Sequence, residues 1–247
     1  METNDLLRRA EDLASRCERS DILCSTGFLT PAEQMELRRW AQGRGIDVVF
    51  AGGGEDCERM CAFFLPDYLT SETLEVEDTI RAVAFESFFG EPGHRDYLGS
   101  VLGQGIRREW VGDIRISGTH AWIFCLKSVE TTLTAMDRVG RYSVRAASCS
   151  LAEVPPEDVR RESLTFTVQS LRLDAVASGL FRLSRTAAAR EIRLGTVSLN
   201  YTPCLRPDAE IREGDILSLR GKGKGTVIEI GGRSRKDRLF VTVERRL

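Results

Sequence analysis

The sequence predicts a multidomain α+β protein. At 247 residues the chain is long enough for two or three domains. Through its middle, strand-period and helix-period stretches follow one another as strand, helix, two strands, helix, strand. The charge also divides along the chain. Residues 167–247 hold 16 Lys and Arg against 9 Asp and Glu, a balance of +7, whereas residues 1–166 hold 19 against 28, a balance of −9, giving the net −2 of the whole. These observations predict an N-terminal helical and α/β domain over 1–75, a βαββαβ middle domain over 76–150 and a basic C-terminal module over 164–247. A basic end on an acidic body directs the C-terminal module toward a polyanion; an ordinary solvated surface is the bland alternative.

Composition narrows the class. The apolar share of 42% is ordinary for a soluble protein. No apolar run approaches the roughly 20 residues of a membrane span. The stretch Met1-Glu2-Thr3-Asn4-Asp5 lacks the apolar core of a signal peptide, so a cytoplasmic location and no membrane partner are expected. The seven cysteines are scattered without a C-x-x-C pair, which predicts buried free thiols in a reducing compartment. Cys57 and Cys61 have no second ligand pair nearby, since the two histidines are His94 and His120, so no metal and no cofactor are expected.

The N-terminal elements are locally specified. Leu6, Leu7, Ala10 and Leu13 form an apolar stripe in a helix within residues 1–20. Thr30-Pro31-Ala32-Glu33 supplies an N-cap, Pro at N1 and Glu at N3 for a helix reaching about Gly43. Ile46 to Phe50 reads as a strand, and Ala51-Gly52-Gly53-Gly54 leads into an expected helix near Glu55–Phe64. Strand, glycines and helix could cradle phosphate, but no Lys-Ser/Thr follows and Glu55 and Asp56 would repel it, so the glycines read as a turn.

In the middle, Thr79–Phe89 reads as a strand and His94–Leu102 as a helix. Gly112–Ser117 and His120–Leu126 form a hairpin, Ser128–Val139 a helix capped by Ser128, and Arg141–Ser148 the last strand. That order is the ferredoxin-like split βαβ of RRM domains. Trp122 and Phe124 share a face of the third strand, where RRMs stack bases, but the strand lacks the basic and glycine signature, so core is the preferred reading. Arg107 and Arg108, just past the first helix, are candidates for phosphate contact. Residues 149–163, with Pro155-Pro156 and Glu157-Asp158, read as a connection between domains.

The C-terminal module begins with a strand over Glu162–Gln169. Ser184 then caps an alanine-rich helix whose apolar positions are Ala188 and Ile192, and Gly195 stops it. Arg190 and Arg193 share a face of this helix. Arg185 lies in the first turn, where the helix dipole disfavours a cation, so helix stability does not account for it. A phosphate near the helix N-terminus would; a solvated basic face is the other reading. Gly221, Gly223 and Gly225 are read as letting the backbone approach RNA while Lys222 and Lys224 neutralise phosphate. Strands at Thr226–Ile230 and Leu239–Val243 flank a basic tip over 231–237, either solvated or a further phosphate contact.

The motifs carry two resemblances. Arg172-Leu173-Asp174, then Ser184, Arg185, Ala188 and Ile192, then Gly195, Val197 and Asn200, then Gly214-Asp215-Ile216, resemble the S4 RNA-binding domain in order and spacing. That resemblance implies two short helices on a small twisted sheet, the second helix and its following turn meeting structured RNA. It makes Arg172, Arg185, Arg190, Arg193, Lys222 and Lys224 suppliers of charge. Ser184 caps the helix or contacts a phosphate, Asn200 positions the turn, and Asp174 is a structural partner of a nearby arginine. The run from Gly93-His94-Arg95-Asp96 to Arg107-Arg108, followed by Val111-Gly112-Asp113-Ile114, resembles the YlmH-like proteins, as do Phe28 to Gln34 and the glycine-rich turn before Glu58-Arg59. This second resemblance covers nearly the whole chain. It departs where the family often has a basic run and this chain has Met60-Cys61-Ala62. His94-Arg95-Asp96 is similar to a kinase catalytic loop, but no glycine-rich loop, Lys strand or Asp-Phe-Gly accompanies it, so His94 reads as a helix start.

The expected function is therefore non-enzymatic RNA binding with no catalytic residue and no small-molecule substrate. Family resemblance implies association with rRNA of the large ribosomal subunit, rescue of stalled subunits carrying peptidyl-tRNA, contact toward that tRNA, and a gene-neighbourhood link to cell division. The enzyme rival is RNA modification of the pseudouridine synthase or methyltransferase type, for which residues 1–165 are short and Gly52-Gly53-Gly54 lacks the cofactor-loop pattern. A division-linked interaction protein is the third reading.

Overall fold

The computed structural model describes residues 3–54, 56–156 and 161–246. The chain forms two compact units, Met1–Glu157 and Asp158–Leu247. Helices and antiparallel sheets occur in both, which makes the protein α+β. Glu55, and the Glu157-Asp158 pair of the expected connection, lie outside the described residues.

In the first unit, α1 (Thr3–Ser20) and α2 (Pro31–Gln42) pack on a three-stranded sheet of β1 (Cys24–Ser25), β2 (Val48–Ala51) and β3 (Cys61–Phe64), in the order β1-β3-β2. Leu6 and Ala10 of α1 are fully buried there with Leu37 and Phe64. The predicted start of α2 is found in full: the Thr30 hydroxyl accepts from the Glu33 amide at 3.4 Å, and Glu33 accepts from the Thr30 amide at 2.7 Å. The helix expected near Glu55–Phe64 is not formed. Its C-terminal part is β3, whose four residues are all buried. A strand covered on both faces shows no alternation of apolar and polar residues, so its period cannot be told from that of a buried helix.

A five-stranded sheet follows: β4 (Ile80–Ser87), β5 (Val111–Ser117), β6 (His120–Leu126), β7 (Arg138–Val139) and β8 (Tyr142–Cys149), in the order β5-β6-β4-β8-β7. Helices α3 (His94–Gly103) and α4 (Lys127–Thr134) lie on one face, burying Tyr97, Val101, Val129 and Leu133 with Val83 and Phe85. The Asp96 carboxylate accepts from the Gly93 amide at 2.8 Å, so His94 does open α3. Two expectations shift. Leu126, not Ser128, precedes α4, and the helix ends at Thr134. Residues beyond it turn back, and Arg138 and Val139 pair with Ser143 and Tyr142 across Gly140, whose φ is +56°. That hairpin leaves no room for a helix reaching Val139.

The helix-free face of this sheet is partly covered from within the same unit. Phe124 is fully buried in a cluster with Phe28, Cys57, Cys61 and Phe63, and half-buried Trp122 packs against it, in keeping with the core reading of both. Gly53 lies on Phe124 so closely that a Cβ would fall 2.5 Å from the ring, at a φ of +98°. Cys61 and Ala62, where a basic run was expected from the family, are fully buried.

In the second unit, β9 (Arg161–Val168), α5 (Leu173–Leu180), α6 (Arg185–Arg193), β10 (Val197–Leu199), β11 (Thr202–Pro203), β12 (Ile216–Leu219), β13 (Gly223–Arg233) and β14 (Leu239–Arg246) form one sheet with two helices. The strand order is β11-β10-β12-β13-β14-β9. Leu173, Val176, Leu180, Ala188 and Ile192 of the helices are buried with Val197, Leu217, Val227 and Val241 of the sheet. Gly179 has no Cβ because one would run into the Phe166 ring of β9.

Candidate nucleic-acid interface

The strongest candidate surface of the second unit is built where the starts of α5 and α6 meet. Arg172 is the N-cap of α5, and its guanidinium donates to both Asp174 oxygens at 3.3 Å. Arg185 reaches the same carboxylate from the first turn of α6, at 3.3 Å. Asp174 is buried, with its side chain 8% exposed, whereas the two arginine side chains are 43% and 49% exposed. Burial alone would push the Asp174 carboxyl up, but hydrogen bonds from Arg172 and Arg185 outweigh it and hold it below the usual carboxylate range. One carboxylate balances one of the two guanidiniums, so the triad keeps a positive charge and turns half of each arginine to solvent. This contact supplies what helix stability did not: a reason for a cation in the first turn of α6.

The rest of the end of α6 is ordered by short-range bonds. The Ser184 hydroxyl accepts from the Ala187 amide at 3.1 Å, which uses the cap role expected of it. Arg182, between the helices, adopts φ +53° and is exposed. It was not singled out from the sequence; a basic residue two positions before a capping serine was the available signal. Lys222, in the turn between β12 and β13, donates through Nζ to the Phe181 carbonyl at 3.3 Å, which brings it to the same interhelical turn. The structure thus brings together Arg172 and Arg185 beside Ser184, with Arg182 and Lys222 at the turn that leads into α6.

Other predicted residues lie apart or serve the fold. Arg190 pairs with Glu191 at 3.3 Å and is 74% exposed. Arg193 is exposed at the end of α6. Lys224 is half-buried within β13, opposite Ser218. Asn200 has both ends of its amide engaged: Nδ2 donates to Asp215 at 2.7 Å and Oδ1 accepts from the Ile216 amide at 2.9 Å. It holds a left-handed turn at φ +51°. The Asn200 and Gly214-Asp215-Ile216 motifs are therefore one structural joint, and Asn200 positions the β10–β11 turn. Gly225 was read as a close-approach glycine for RNA. It is buried instead, and a Cβ would fall 2.7 Å from Val243 and 2.9 Å from Leu180, so it serves the core.

In the first unit the two neighbouring arginines diverge. Arg107 is 67% exposed, 3.7 Å from Glu109 and 5.2 Å from the Trp110 ring centroid. Arg108 turns inward and donates to the carbonyls of Val111 and Gly112. Burial and the nearby Arg59 charge push it down to about 10. Arg59 donates to the Phe28 carbonyl at 2.7 Å, and its amide donates to Asp113 at 3.2 Å. Buried Arg115 donates to the Pro155 carbonyl at 2.8 Å and stands 5.1 Å from the Phe124 ring centroid. The Glu58-Arg59 and Gly112-Asp113 motifs meet in this joint between the two sheets of the unit. Burial raises the Asp113 carboxyl.

Among the described residues, no group of three or more His, Cys, Asp or Glu is arranged to hold a metal ion, and no helix is long and apolar enough to cross a membrane. All seven cysteines are free, and burial pushes the Cys57 thiol up to about 11.

Comparison with known proteins adds an independent line. A family model described as "Putative RNA-binding domain in YlmH" matches residues 72–153. The chain is 32% identical over 221 residues to the ribosome-associated protein quality control protein P2 of Bacillus subtilis, covering 89% of this chain and 86% of that protein. The structure is similar in fold to the cell division protein ylmH from Streptococcus pneumoniae, with a TM-score of 0.52 and 22% identity over 63% of this chain and 96% of that one. With a relative this similar along nearly its whole length, the chain belongs to the YlmH family.

Proposed function

We propose that this protein is a non-enzymatic, cytoplasmic RNA-binding protein that associates with rRNA of the large ribosomal subunit. Its role would lie in quality control of stalled subunits bearing peptidyl-tRNA. The observation that carries the reading is the Arg172–Asp174–Arg185 triad beside the capped start of α6: a buried carboxylate holds two guanidiniums half exposed at a helix N-terminus. The B. subtilis relative, named for ribosome-associated quality control, supports the ribosome as the setting.

In this reading the second unit is an S4 domain. Two helices on a sheet, with the R-L-D and S-R motifs joined through Asp174 and the G-D motif joined to Asn200, support that assignment. The middle of the first unit is RRM-like, supported by its strand order. The start of α6 grips structured RNA by shape and phosphate contact through Arg172 and Arg185, with Arg190 and Arg193 further along the helix and Arg182, Lys222 and Lys224 adding charge from the neighbouring turns and β13. Ser184 and Asn200 hold the surface in place. Arg107 offers a phosphate contact on the first unit, while Arg108 supports the strand beside it.

The test is co-sedimentation with purified ribosomal subunits across a salt series. Wild type should pellet with large subunits, and the bound fraction should fall as salt rises. An Arg185→Glu/Arg190→Glu variant should remain in the supernatant with unchanged circular dichroism. If wild type stays in the supernatant at low salt, the ribosome reading is wrong. One other reading, an interaction protein of cell division, follows from the name of the S. pneumoniae protein. That reading expects the charge-reversal variant to retain its partners.

A further inference from the structure

RRM-type modules stack bases on the helix-free sheet face. Here the Phe124 end of that face is buried under the N-terminal segment. Two exposed rings lie at the end of the sheet instead. Beyond β4, Phe88 is 55% exposed and Phe89 82% exposed, yet the backbone carrying them is tied down. The Ser87 amide donates to the Thr119 carbonyl at 2.8 Å, the Phe88 amide to the Ser143 carbonyl at 3.2 Å, and the Ser87 hydroxyl to the Phe89 carbonyl at 3.3 Å. Gly90, at φ +79°, lies so close on Tyr142 that a Cβ would fall 2.7 Å from its ring. The Arg141 guanidinium stands 5.1 Å from the Tyr142 ring centroid and donates to its hydroxyl at 3.1 Å. Three aromatic rings and an exposed arginine thus share one ordered corner.

Charge around that corner is close to balanced, so the partner is selected by rings set beside arginine and not by net charge. Arg138, Arg141 and Arg145 are exposed, with Arg145 engaged by Glu86 at 2.6 Å. Of the nearby acids, Asp96 is used at the start of α3, leaving Glu91 and Asp137 on the surface. Rings beside guanidiniums suit unpaired nucleotides, whose bases offer free faces for stacking and whose phosphates pair with arginine. A duplex hides those faces.

We infer that Phe88, Phe89, Tyr142 and Arg141 form a second RNA contact, which stacks the bases of an unpaired stretch. This inference rests on the RNA-binding reading above and adds to it a distinct site and substrate form.

The test measures fluorescence anisotropy of a labelled oligouridylate of about 12 nucleotides, a length within the usual range of single-strand sites. It uses full-length protein in the Arg185→Glu/Arg190→Glu background, which silences the C-terminal contact. A Phe88→Ala/Phe89→Ala change should weaken binding about tenfold or more, the scale expected for lost base stacking. Phe88→Tyr/Phe89→Tyr should restore it, and ultraviolet crosslinks should map to Phe88, Phe89 or Tyr142. Equal binding by the alanine variant, or no oligouridylate binding in this background, overturns the inference and leaves the corner to a protein partner. Large-subunit pelleting by wild type, run alongside, shows whether the parent reading has failed as well.

Discussion

Two sets of arginines, one from each unit, are put to opposite uses. In the first, Arg59, Arg108 and Arg115 point inward and spend their donors on backbone carbonyls, and Arg59 reaches from beside β3 to Val111 at the start of β5. In the second, Arg172 and Arg185 share one buried carboxylate and keep half their surface in solvent, and Arg190 and Arg193 are exposed. A guanidinium with five donors can be a bolt or a handle. Which it becomes depends on whether its acceptors are carbonyls of a neighbouring strand or a carboxylate that leaves donors free. The comparison predicts that arginine substitutions will separate into stability effects and binding effects.

The largest stability effect should come from Arg115→Ala. It removes a buried guanidinium, leaves the Pro155 carbonyl without its donor and opens space beside Phe124. A loss of about 3 kcal/mol is expected for the first unit, the scale of a core truncation with an unsatisfied polar group. Thermal unfolding followed by tryptophan fluorescence measures it, since all three tryptophans belong to that unit. RNA affinity of the second unit should be unchanged; a parallel loss of affinity would break the division between bolts and handles.

Asp174→Asn comes next. It removes the charge that both arginines share while preserving shape, and should cost about 1–2 kcal/mol, less than a fully buried ion pair because the arginines are half solvated. Urea unfolding of wild type and variant would read the difference. Arg193→Ala, at an exposed position, should change stability by less than about 0.5 kcal/mol. Its signature is in binding: affinity for large subunits should fall severalfold and the salt slope should decrease by about 1, as for one lost phosphate contact. A variant with wild-type slope would make Arg193 part of a solvated face.

This division was only half legible in the sequence. Local devices were readable because neighbouring residues create them: the Thr30–Glu33 capping box, the Ser184 cap and the buried stripe of Leu6 and Ala10 all appear where expected. What needed the third dimension was not. β3 lost its period through burial on both faces. The strand expected to run to Phe89 stops at Ser87, which turns two apparent sheet residues into exposed rings. Arg107 and Arg108 look alike in sequence, yet only Arg108 finds the carbonyls of Val111 and Gly112. The charge count located the basic unit but could not tell which cations the fold consumes.

The smallest expected effect, and the one that sets the two units directly against each other, is on pH dependence. Asp113 is half-buried and Asp174 buried, and both lie beside arginines, but their shifts have opposite sign. Burial dominates at Asp113 and raises it, so the folded first unit takes up that proton before the unfolded chain does. Its contribution to stability therefore increases as pH falls through the raised folded value toward the unfolded value near 3.9. At Asp174 the two arginines dominate. The folded second unit holds the carboxylate ionised longer than the unfolded chain, so that stabilisation is complete above the unfolded value and is lost as pH falls through the lower folded one. Asp113→Asn should accordingly flatten the stability profile of the first unit in mild acid, and Asp174→Asn should flatten that of the second at lower pH. Urea midpoints between pH 3 and pH 7 for wild type and both variants provide the measurement. The same direction of change in both variants would mean that the arginines around Asp113 outweigh its burial, and that the joint of the first unit is held by ion pairing much as the Asp174 triad is.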